Sequence, residues 1–500
     1  SESGASFQAK GQLGWVHEVT LTGLDPETTY TYRVGGSAGF SAAHTFRTGP
    51  QDGCSPFRFI ASGDHRSDDD FGPNPKWESI LGEMQATGAG FIVETGDLVR
   101  DGADLKQWVN HMDMGSSHMG EIALMASFGN HDSDDVQGVS AAFNQLFALP
   151  TNDVTATEDF YAFEYGNAVF AGLSTATFDD AEGLAMQAKW LDDTLAEHAD
   201  KTWRFVFFHH PVYTSHIDLG FAELNHPPNE RGQNEHFVPV FDKHHVDVVF
   251  AGHNHFYERF SPMKGGKPVG SPAQGTVYVT TGGAGAFTYD EIDVLGFKID
   301  PMLVICGAGI VGLSGKAEGS QICSGKHHYM EVLVDGPKLS VVVRATSAQN
   351  FSDSPSNVVV MDSFEITKSA GALDECAPPA VVEADSPDAG SGDGSDAAEP
   401  IEVEPAEVEP NVVEPAPDVG SPDVAAETPD ATAPSDAASS DTAGVVVRAP
   451  AAPDTGADVL AGASGGTDSD SAGCASHPSG SLSALALVLL LGLGRQRRRG

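Results

Sequence analysis

The feature that most constrains this 500-residue chain is a set of five apolar runs, each ending in a carboxylate, amide or imidazole side chain. In the last run, residues 248–251 read Val-Val-Phe-Ala and predict a buried strand, which stops at Gly252 before His253 and His255. Imidazole is a frequent neutral metal ligand, and a loop at the end of a rigid strand can hold two of them toward one point. One pair of histidines is weak evidence by itself, so the other four runs decide the prediction.

Four earlier runs end in the same way. The runs and the polar residues after them are 57–62 with Asp64, 91–95 with Asp97, 123–128 with Asn130, His131 and Asp132, and 203–208 with His209 and His210. Helix-compatible segments such as residues 77–85 and 185–198 lie between the runs, which indicates β-α-β units. Ligands of open α/β sheets bind outside the carboxyl ends of the strands, so the recurrence predicts one shared site.

In this order and spacing, the five motifs resemble the calcineurin-like metallophosphoesterase superfamily over roughly residues 50–367. Three further segments are similar to the purple acid phosphatase branch and its bacterial relatives: residues 163–167, residues 257–259 and the glycine-rich residues 281–285. The resemblance implies an α+β fold, in which a two-sheet β-sandwich is flanked by helices. The successive strands at residues 327–334, 339–345 and 358–366, which have no helices between them, fit that mixture.

The resemblance also implies two metal ions as cofactors, divalent or trivalent, with Fe, Mn and Zn as the candidates. The family's ligand pattern places Asp64 and His255 on the first metal, Asp97 bridging both, and Asn130, His209 and His253 on the second. The His-x-Pro spacing of the family favours His209 over His210. Two bridged metals clamp a phosphoryl group and lower the pKa of a bound water, and this mixture of oxygen and imidazole ligands suits them.

Four more residues are predicted to take part in the reaction. His131 is the expected general acid or transition-state stabiliser, and Asp132 is expected to orient its ring and set its tautomer. Arg66 and His210, and as a further option His65, are expected to contact the substrate phosphate. Five other histidines have no ligand-like spacing: His111, His118, His216, His226 and His236.

Two positions depart from the family pattern. Purple acid phosphatases place a tyrosine three residues after the bridging aspartate, where this chain has Arg100, so a purple ferric site is not expected. Many other relatives have a histidine two residues after the first aspartate, where this chain has Arg66. The first metal would then have only Asp64, Asp97 and His255 as protein ligands.

The chain divides into four predicted parts. Residues 1–50 resemble the C-terminal half of the fibronectin-type domain that precedes the catalytic domain of purple acid phosphatases, so we expect that the true start, with a signal peptide, lies upstream. Residues 54–368 form the catalytic domain. Residues 371–473 read as a disordered acidic linker rich in Pro and Ala, because uniform charge and low hydrophobicity do not offset chain entropy.

The last predicted part, residues 474–500, reads as a sorting signal or membrane anchor. Cys474 is followed by the apolar residues 482–493 and then by four arginines. A membrane span needs about 20 residues, which residues 475–494 supply, and the arginines predict a cytoplasmic end. The arrangement resembles the myxobacterial C-terminal sorting signal. We therefore expect an exported protein held at the cell surface or outer membrane, or released after processing.

Residues 307–312 match the dinucleotide-binding fingerprint, but the residues after them make a poor helix and no β-α-β unit surrounds them. We interpret the segment as a glycine-rich loop, which a Cys306–Cys323 disulfide would close if the protein is exported. The formal net charge of −44 argues against binding nucleic acid through its phosphates.

The sequence thus predicts a surface-anchored metallophosphoesterase that hydrolyses phosphate monoesters with a metal-bridging hydroxide. Two alternatives stay open. One is a phosphodiesterase or nucleotidase, since no linear motif encodes the shape of the pocket. The other is a non-catalytic surface-binding protein on the same fold.

Overall fold

The computed structural model describes residues 5–36, 39–51, 53–66, 75–136, 138–216, 226–288, 292–294, 297–299, 305–306, 316–346, 358–368 and 443–448. The first of two compact units comprises residues 1–377 and 441–500, and the second, residues 378–440, lies outside the described residues. The predicted linker and anchor lie outside them too, apart from residues 443–448, as does the glycine-rich segment 307–312. Within the described residues, no helix has the length and apolar character needed to cross a membrane.

Five α-helices are described: α1 (Pro75–Ala86), α2 (Leu105–Met119), α3 (Ala142–Leu146), α4 (Ala181–Glu197) and α5 (Asn234–His244). The strands in chain order are β1 (Ala5–Gln8), β2 (Trp15–Thr20), β3 (Thr29–Tyr32), β4 (Gly35–Gly36), β5 (Gly39–Phe40), β6 (His44–Arg47), β7 (Phe57–Ser62), β8 (Phe91–Glu94), β9 (Ala123–Ala126), β10 (Tyr161–Tyr165), β11 (Ala168–Gly172), β12 (Trp203–Phe208), β13 (Val248–Ala251), β14 (Tyr257–Phe260), β15 (Met263–Lys264), β16 (Lys267–Pro268), β17 (Val277–Thr281), β18 (Ile292–Val294), β19 (Phe297–Ile299), β20 (Ser320–Ser324), β21 (His328–Asp335), β22 (Lys338–Thr346), β23 (Val358–Thr367) and β24 (Ala443–Arg448).

Two large mixed sheets dominate the structure, as the sequence predicted. The first has the order β23-β22-β21-β7-β8-β9, and the second has the order β10-β11-β12-β13-β17-β14-β20. Strands β7, β8 and β9 are parallel, as are β11, β12, β13 and β17. All five apolar runs singled out in the sequence are strands of these parallel segments, so each delivers its polar residue at a carboxyl end.

The N-terminal residues form small sheets of their own. Strand β1 pairs antiparallel with β2, and β3 pairs antiparallel with β6. The pairing of β3 with β6 places Tyr30 against Phe46, with ring centroids 5.6 Å apart. Tyr32 donates its hydroxyl proton to the carbonyl of Gly120, which ties this region to the end of α2. Strand β24 pairs in parallel with β2.

An aromatic cluster joins the two large sheets. Phe59, on β7, has its ring centroid 5.0 Å from that of Phe170 on β11 and 5.2 Å from that of Phe205 on β12. It also stacks on Phe91 of β8, 5.5 Å away. Edge-to-face and stacked aromatic pairs add to the free energy gained by burial. Phe59 is completely buried, so this contact fixes the distance between the sheets.

We therefore expect Phe59→Ala to lower the free energy of unfolding by about 3–5 kcal/mol, because the cavity would lie between two sheets that cannot collapse onto it. Chemical denaturation followed by tryptophan fluorescence measures the change. The matched control is Phe40→Ala, since the Phe40 ring is 70% exposed and its loss should change stability by less than about 0.5 kcal/mol. Equal effects of the two substitutions would contradict a core role for Phe59.

Candidate metal centre

Three of the predicted ligands lie on unusual backbone. The φ angles of Asp64, Asp97 and His253 are 60°, 60° and 69°, in the left-handed region that residues other than glycine seldom adopt. Each of the three follows a glycine at the end of a strand. Such conformations persist only where the surroundings enforce them, and they cluster at functional sites. The sharp turn aims each side chain across the ends of the strands.

The glycine before His253 is required by close packing. A Cβ at Gly252 would meet the carboxylate of Asp64 and lie 2.7 Å from the hydroxyl oxygen of Thr95. The Gly-His pair is therefore needed because the end of β13 passes directly over the turns that carry the aspartates. Any larger residue at position 252 would push the histidine loop away from the carboxylates.

His209 presents a lone pair to the centre of the site. Its Nδ1 lies 2.8 Å from the carbonyl oxygen of Thr95, which accepts only, so the ring proton resides on Nδ1. Its Nε2 faces Asn130 Oδ1 at 2.9 Å and Asp97 Oδ1 at 3.3 Å. The second-metal side of the site therefore places an imidazole nitrogen and two oxygens around one point.

His253, like His209, presents the lone pair of a ring nitrogen to the centre of the site. Its Nε2 lies 3.0 Å from Glu230 Oε2, so the ring proton is on Nε2 and the lone pair is on Nδ1. That Nδ1 is 3.1 Å from His209 Nε2. Two nitrogen lone pairs at this distance repel each other unless a cation lies between them. The donors present therefore fit a metal ion, held by His209, His253, Asn130 and Asp97.

The first-metal side is built from Asp64, Asp97 and His255. One ligand atom from each of Asp64, Asp97 and His209 lies within 4.8 Å of the others. His255 Nδ1 lies 2.7 Å from the carbonyl oxygen of Phe287, which leaves Nε2 facing Asp64 Oδ1 at 3.5 Å. The structure thus brings all six predicted ligands together, and this side also has the donor chemistry for a cation.

The two aspartates differ electrostatically. Burial raises the pKa of Asp64 to about 8, and the opposing effect of His209 does not offset it. Burial also acts to raise the pKa of Asp97, but nearby His209, His131 and Arg66 together hold that pKa well below its usual range. A cation on the first-metal side would favour the ionised form of Asp64 as well.

Arg66 lies directly beside the bridging carboxylate. Its Nε is 3.6 Å from Asp97 Oδ2, and its backbone N–H donates to the carbonyl of Asp97 over 3.1 Å. The guanidinium therefore lies inside the site, where a phosphoryl oxygen would reach it. Its contact with the substrate phosphate stays a prediction.

The His131 ring is held by a backbone carbonyl rather than by the side chain of the neighbouring Asp132. Its ring Nδ1 lies 2.6 Å from the carbonyl of Arg100, which assigns the proton to Nδ1 and leaves Nε2 to exchange protons. Asp132 instead accepts backbone N–H groups from Asp97 and Gly129, at 2.9 and 2.8 Å, as well as from residues 98 and 99. Asp132 thus fixes the two turns that carry Asp97 and Asn130. The contacts do not show the expected orientation of the His131 ring by Asp132.

His210 is buried at the second-metal side. Its Nδ1 lies 2.8 Å from the Thr175 hydroxyl, and Arg231 donates from Nε to its Nε2 over 3.3 Å. The ring centroid is 4.3 Å from that of His253. Because both ring nitrogens have partners, His210 packs against a ligand rather than presenting a nitrogen to the substrate.

His65, the further option for contacting phosphate, also points away from the ligands. Its ring stacks on Trp77 with centroids 3.8 Å apart, and its Nε2 lies 3.2 Å from His111 Nδ1. Its Nδ1 is 3.1 Å from the buried Glu94 carboxylate. Burial lowers the pKa of His65 to about 3, so the ring is neutral.

Sequence reasoning missed Glu230 and His226. Glu230 Oε2 lies 3.0 Å from His253 Nε2 and 3.4 Å from His226 Nδ1. Hydrogen bonds from these two histidines lower the pKa of Glu230, which keeps it ionised. A carboxylate behind a ligating imidazole sets the tautomer and raises the basicity of the ligand. Among the described residues, Glu230 lies in a turn before α5 and not at the end of a strand, so the strand-end pattern carried no signal for it.

Comparison with known proteins agrees with this geometry. Residues 1–48 match the family profile described as the purple acid phosphatase N-terminal domain, and residues 57–257 match that of calcineurin-like phosphoesterase. The chain is thus similar to calcineurin-like phosphoesterases over its central part and to curated purple acid phosphatases over about half of its length.

Three individual proteins illustrate the similarity. Probable purple acid phosphatase 20 of Arabidopsis thaliana is 26% identical over 281 residues, which cover 54% of this chain and 61% of that protein. Probable inactive purple acid phosphatase 27 of the same plant is 26% identical over 310 residues, covering 55% and 49%. The structure of a purple acid phosphatase from yellow lupin (Lupinus luteus) seeds has a similar fold, with a TM-score of 0.53 at 19% identity, covering 69% of this chain and 61% of that one.

The similarity to these relatives is partial. The matched part of this chain spans about half to two thirds of the length of the two curated plant proteins. One of them carries the word inactive in its name, so family resemblance does not by itself establish turnover. Whether this chain is active therefore depends on the residues of its own site.

We expect Glu230→Ala to weaken metal binding at the His209–His253 side by about 10- to 100-fold, because His253 would lose the acceptor that keeps its proton on Nε2. Competition with a chromogenic chelator measures the dissociation constant for Zn²⁺. Glu235→Ala is the matched control, since Glu235 lies on α5 and contacts Asn229. An unchanged dissociation constant in Glu230→Ala would show that Glu230 does not support the ligand.

Proposed function

We propose that this chain is a dinuclear-metal phosphoesterase that hydrolyses phosphate monoesters. The observation that carries the proposal is the approach of His209 Nε2, His253 Nδ1, Asn130 Oδ1 and Asp97 Oδ1 to one point, with the ring protons held on the far sides. When bound, two metal ions would supply Lewis acidity to the phosphoryl group and a water of lowered pKa. Asp64 and His255 would hold the first ion, and Asp97 would contact both.

Arg66 and His131 have different roles in the proposed reaction: one binds the phosphate, and the other gives a proton to the leaving group. The Arg66 guanidinium, already beside Asp97, binds a non-bridging phosphate oxygen through charge-assisted hydrogen bonds. His131, with Nδ1–H held by the Arg100 carbonyl, would give the Nε2 proton of its imidazolium form to the departing ester oxygen, as a water oxygen bonds to phosphorus and the ester P–O bond breaks. Burial lowers the pKa of this ring, and the negative charge of a bound phosphate would favour its protonated form. Asp132 keeps the turns of Asp97 and Asn130 in register during the step.

Phosphate monoesters are the proposed substrate class because a terminal phosphoryl group presents three oxygens to the guanidinium and the metal side chains together. A phosphodiester has one non-bridging oxygen fewer for these contacts, so phosphodiesterase activity ranks second. A nucleotide with a terminal phosphate offers the same three oxygens as any other monoester, so nucleotidase activity differs only in what the pocket does with the base. The complete set of six ligands disfavours a non-catalytic binding protein, since a fold kept only for adhesion has no need to retain them.

We also propose that the protein is exported and attached to the cell surface through residues 474–500. Support comes from the Cys306–Cys323 disulfide, whose cysteines are 17 residues apart in the sequence, and from Cys54, which is disulfide-bonded too. Disulfides persist mainly in oxidising compartments. The acidic linker would then separate the catalytic domain from the surface.

His131→Ala provides the main test of the catalytic role. We expect kcat to fall about 10²- to 10⁴-fold on an alkyl phosphate, whose alkoxide leaves poorly without a proton. On an aryl phosphate with an acidic leaving group the loss should be much smaller. Steady-state rates on a series of leaving groups measure the difference, with His118→Ala as the control because His118 lies on α2 and contacts Gln85.

Asp97→Asn tests the metal centre itself. Turnover of every substrate should disappear together with bound metal, which elemental analysis of the purified protein reads independently. Bound metal with no turnover of monoesters or diesters in the unaltered chain would instead favour the binding-protein alternative.

Attachment is tested by deleting residues 474–500 in the producing cell. The catalytic domain should then move from the cell-associated fraction to the medium, because the apolar residues 482–493 and the arginines would be absent. Fractionation and immunoblotting, with protease treatment of intact cells, measure the distribution. A catalytic domain that is protected from protease inside unaltered cells would contradict export.

A further inference from the structure

We propose that Arg66 makes the two metal sites unequal: its guanidinium weakens the first site, and phosphate restores that site by pairing with Arg66. The inference rests on the proposed metal centre and adds the order in which its two metal sites are filled. The His209–His253 side binds metal first, and the Asp64–His255 side fills together with the substrate.

Arg66 is anchored by the bridging aspartate. Its backbone N–H donates to the Asp97 carbonyl, and its Nε lies 3.6 Å from Oδ2 of the same residue. The side chain is only 14% exposed, and that of Asp97 is 1% exposed. The cation is thus held inside the site by the residue that both metals need.

The two carboxylate oxygens of Asp97 have different neighbours. Oδ1 faces His209 Nε2 at 3.3 Å and accepts the backbone N–H of His131 over 3.0 Å. Oδ2 faces Arg66. Arg66 follows Asp64 by two residues and faces Oδ2, whereas His209 faces Oδ1, so a cation held by Asp64 would lie closer to the guanidinium than a cation held by His209.

Charge balance in the site favours one metal ion over two. Asp64 and Asp97 are buried carboxylates, and buried charges are stable only when they are compensated. One divalent ion already balances these two carboxylates, and Arg66 adds a further positive charge beside Asp97. The ionised Glu230 lies behind His253, so its negative charge favours a cation on the His209–His253 side. A second divalent ion is then repelled, and the site offers it few donors, since position 66 holds a cation instead of a ligand.

Substrate reverses this balance. A phosphate dianion that pairs with Arg66 cancels the charge that repels the second ion, and it offers oxygens of its own. Because binding linkage is reciprocal, phosphate tightens the first metal site by the same factor by which that metal tightens phosphate. Metal occupancy is thereby coupled to the presence of substrate.

The test is a titration of the metal-free full chain with Mn²⁺, with and without inorganic phosphate, in which electron paramagnetic resonance reads free Mn²⁺ and Mn–Mn coupling. Without phosphate we expect two sites whose dissociation constants differ by at least about tenfold, or about 1.4 kcal/mol. Arg66→Gln should narrow the gap between the two constants by at least about threefold, because it removes the charge but not the shortage of donors. Phosphate should narrow the gap in the unaltered chain, and its effect on the gap should be smaller in Arg66→Gln.

Two controls separate charge from structure. Arg66→Lys keeps a positive charge and should keep the two sites unequal, whereas Arg47→Gln removes the charge of an exposed side chain on β6 and should leave the gap unchanged. If Arg66→Gln does not fold, as judged by circular dichroism, the test is whether phosphate narrows the gap between the two dissociation constants of the unaltered chain.

Equal dissociation constants at the two sites of the unaltered chain, or a gap that neither phosphate nor Arg66→Gln changes, would overturn the inference. Absence of bound Mn²⁺, Zn²⁺ and Fe at both sites would instead refute the proposed function.

Discussion

Packing between the aromatic side chains of the two sheets determines where every ligand of the metal centre lies. Asp64, Asp97 and Asn130 follow strands of one sheet, while His209 and His253 follow strands of the other. The oxygen ligands and the imidazoles therefore meet only because the sheets are held face to face by the cluster around Phe59. Close-packed interiors deform little, so this contact keeps the two halves of the ligand set at a fixed separation.

Proton placement on the histidines depends on a second set of contacts. Backbone carbonyls hold Nδ1 of His131, His209 and His255, and the Glu230 carboxylate holds Nε2 of His253. Each contact leaves the other ring nitrogen facing the centre of the site. For most of these histidines, the ring orientation thus depends on a backbone carbonyl, and therefore on the path of the main chain, rather than on a neighbouring side chain.

This distinction explains what the sequence could and could not predict. Strand periodicity and the polar residue after each strand predicted that these side chains share one edge, because the carboxyl ends of parallel strands lie together. The two-sheet arrangement and the six candidate ligands came from the resemblance to the metallophosphoesterase family. The sequence could not predict which groups form hydrogen bonds with those ligands. A carbonyl such as that of Arg100 has no residue-specific signature, so the role expected of Asp132 was assigned by proximity in sequence alone. Glu230 was missed because its approach to His253 depends on the path of a loop.

Arg66 shows how one residue can serve the substrate at a cost to the metal. A guanidinium beside a bridging carboxylate suits a phosphate dianion and opposes a second divalent ion through the same positive charge. The backbone contact of Arg66 with Asp97 follows from the path of the main chain, whereas the position of the guanidinium beside Oδ2 depends on the side chain. We infer that this position serves a site that is assembled in full only when phosphate is present. In the proposed enzyme, the substrate would supply the donors that the ligand set of the first metal lacks.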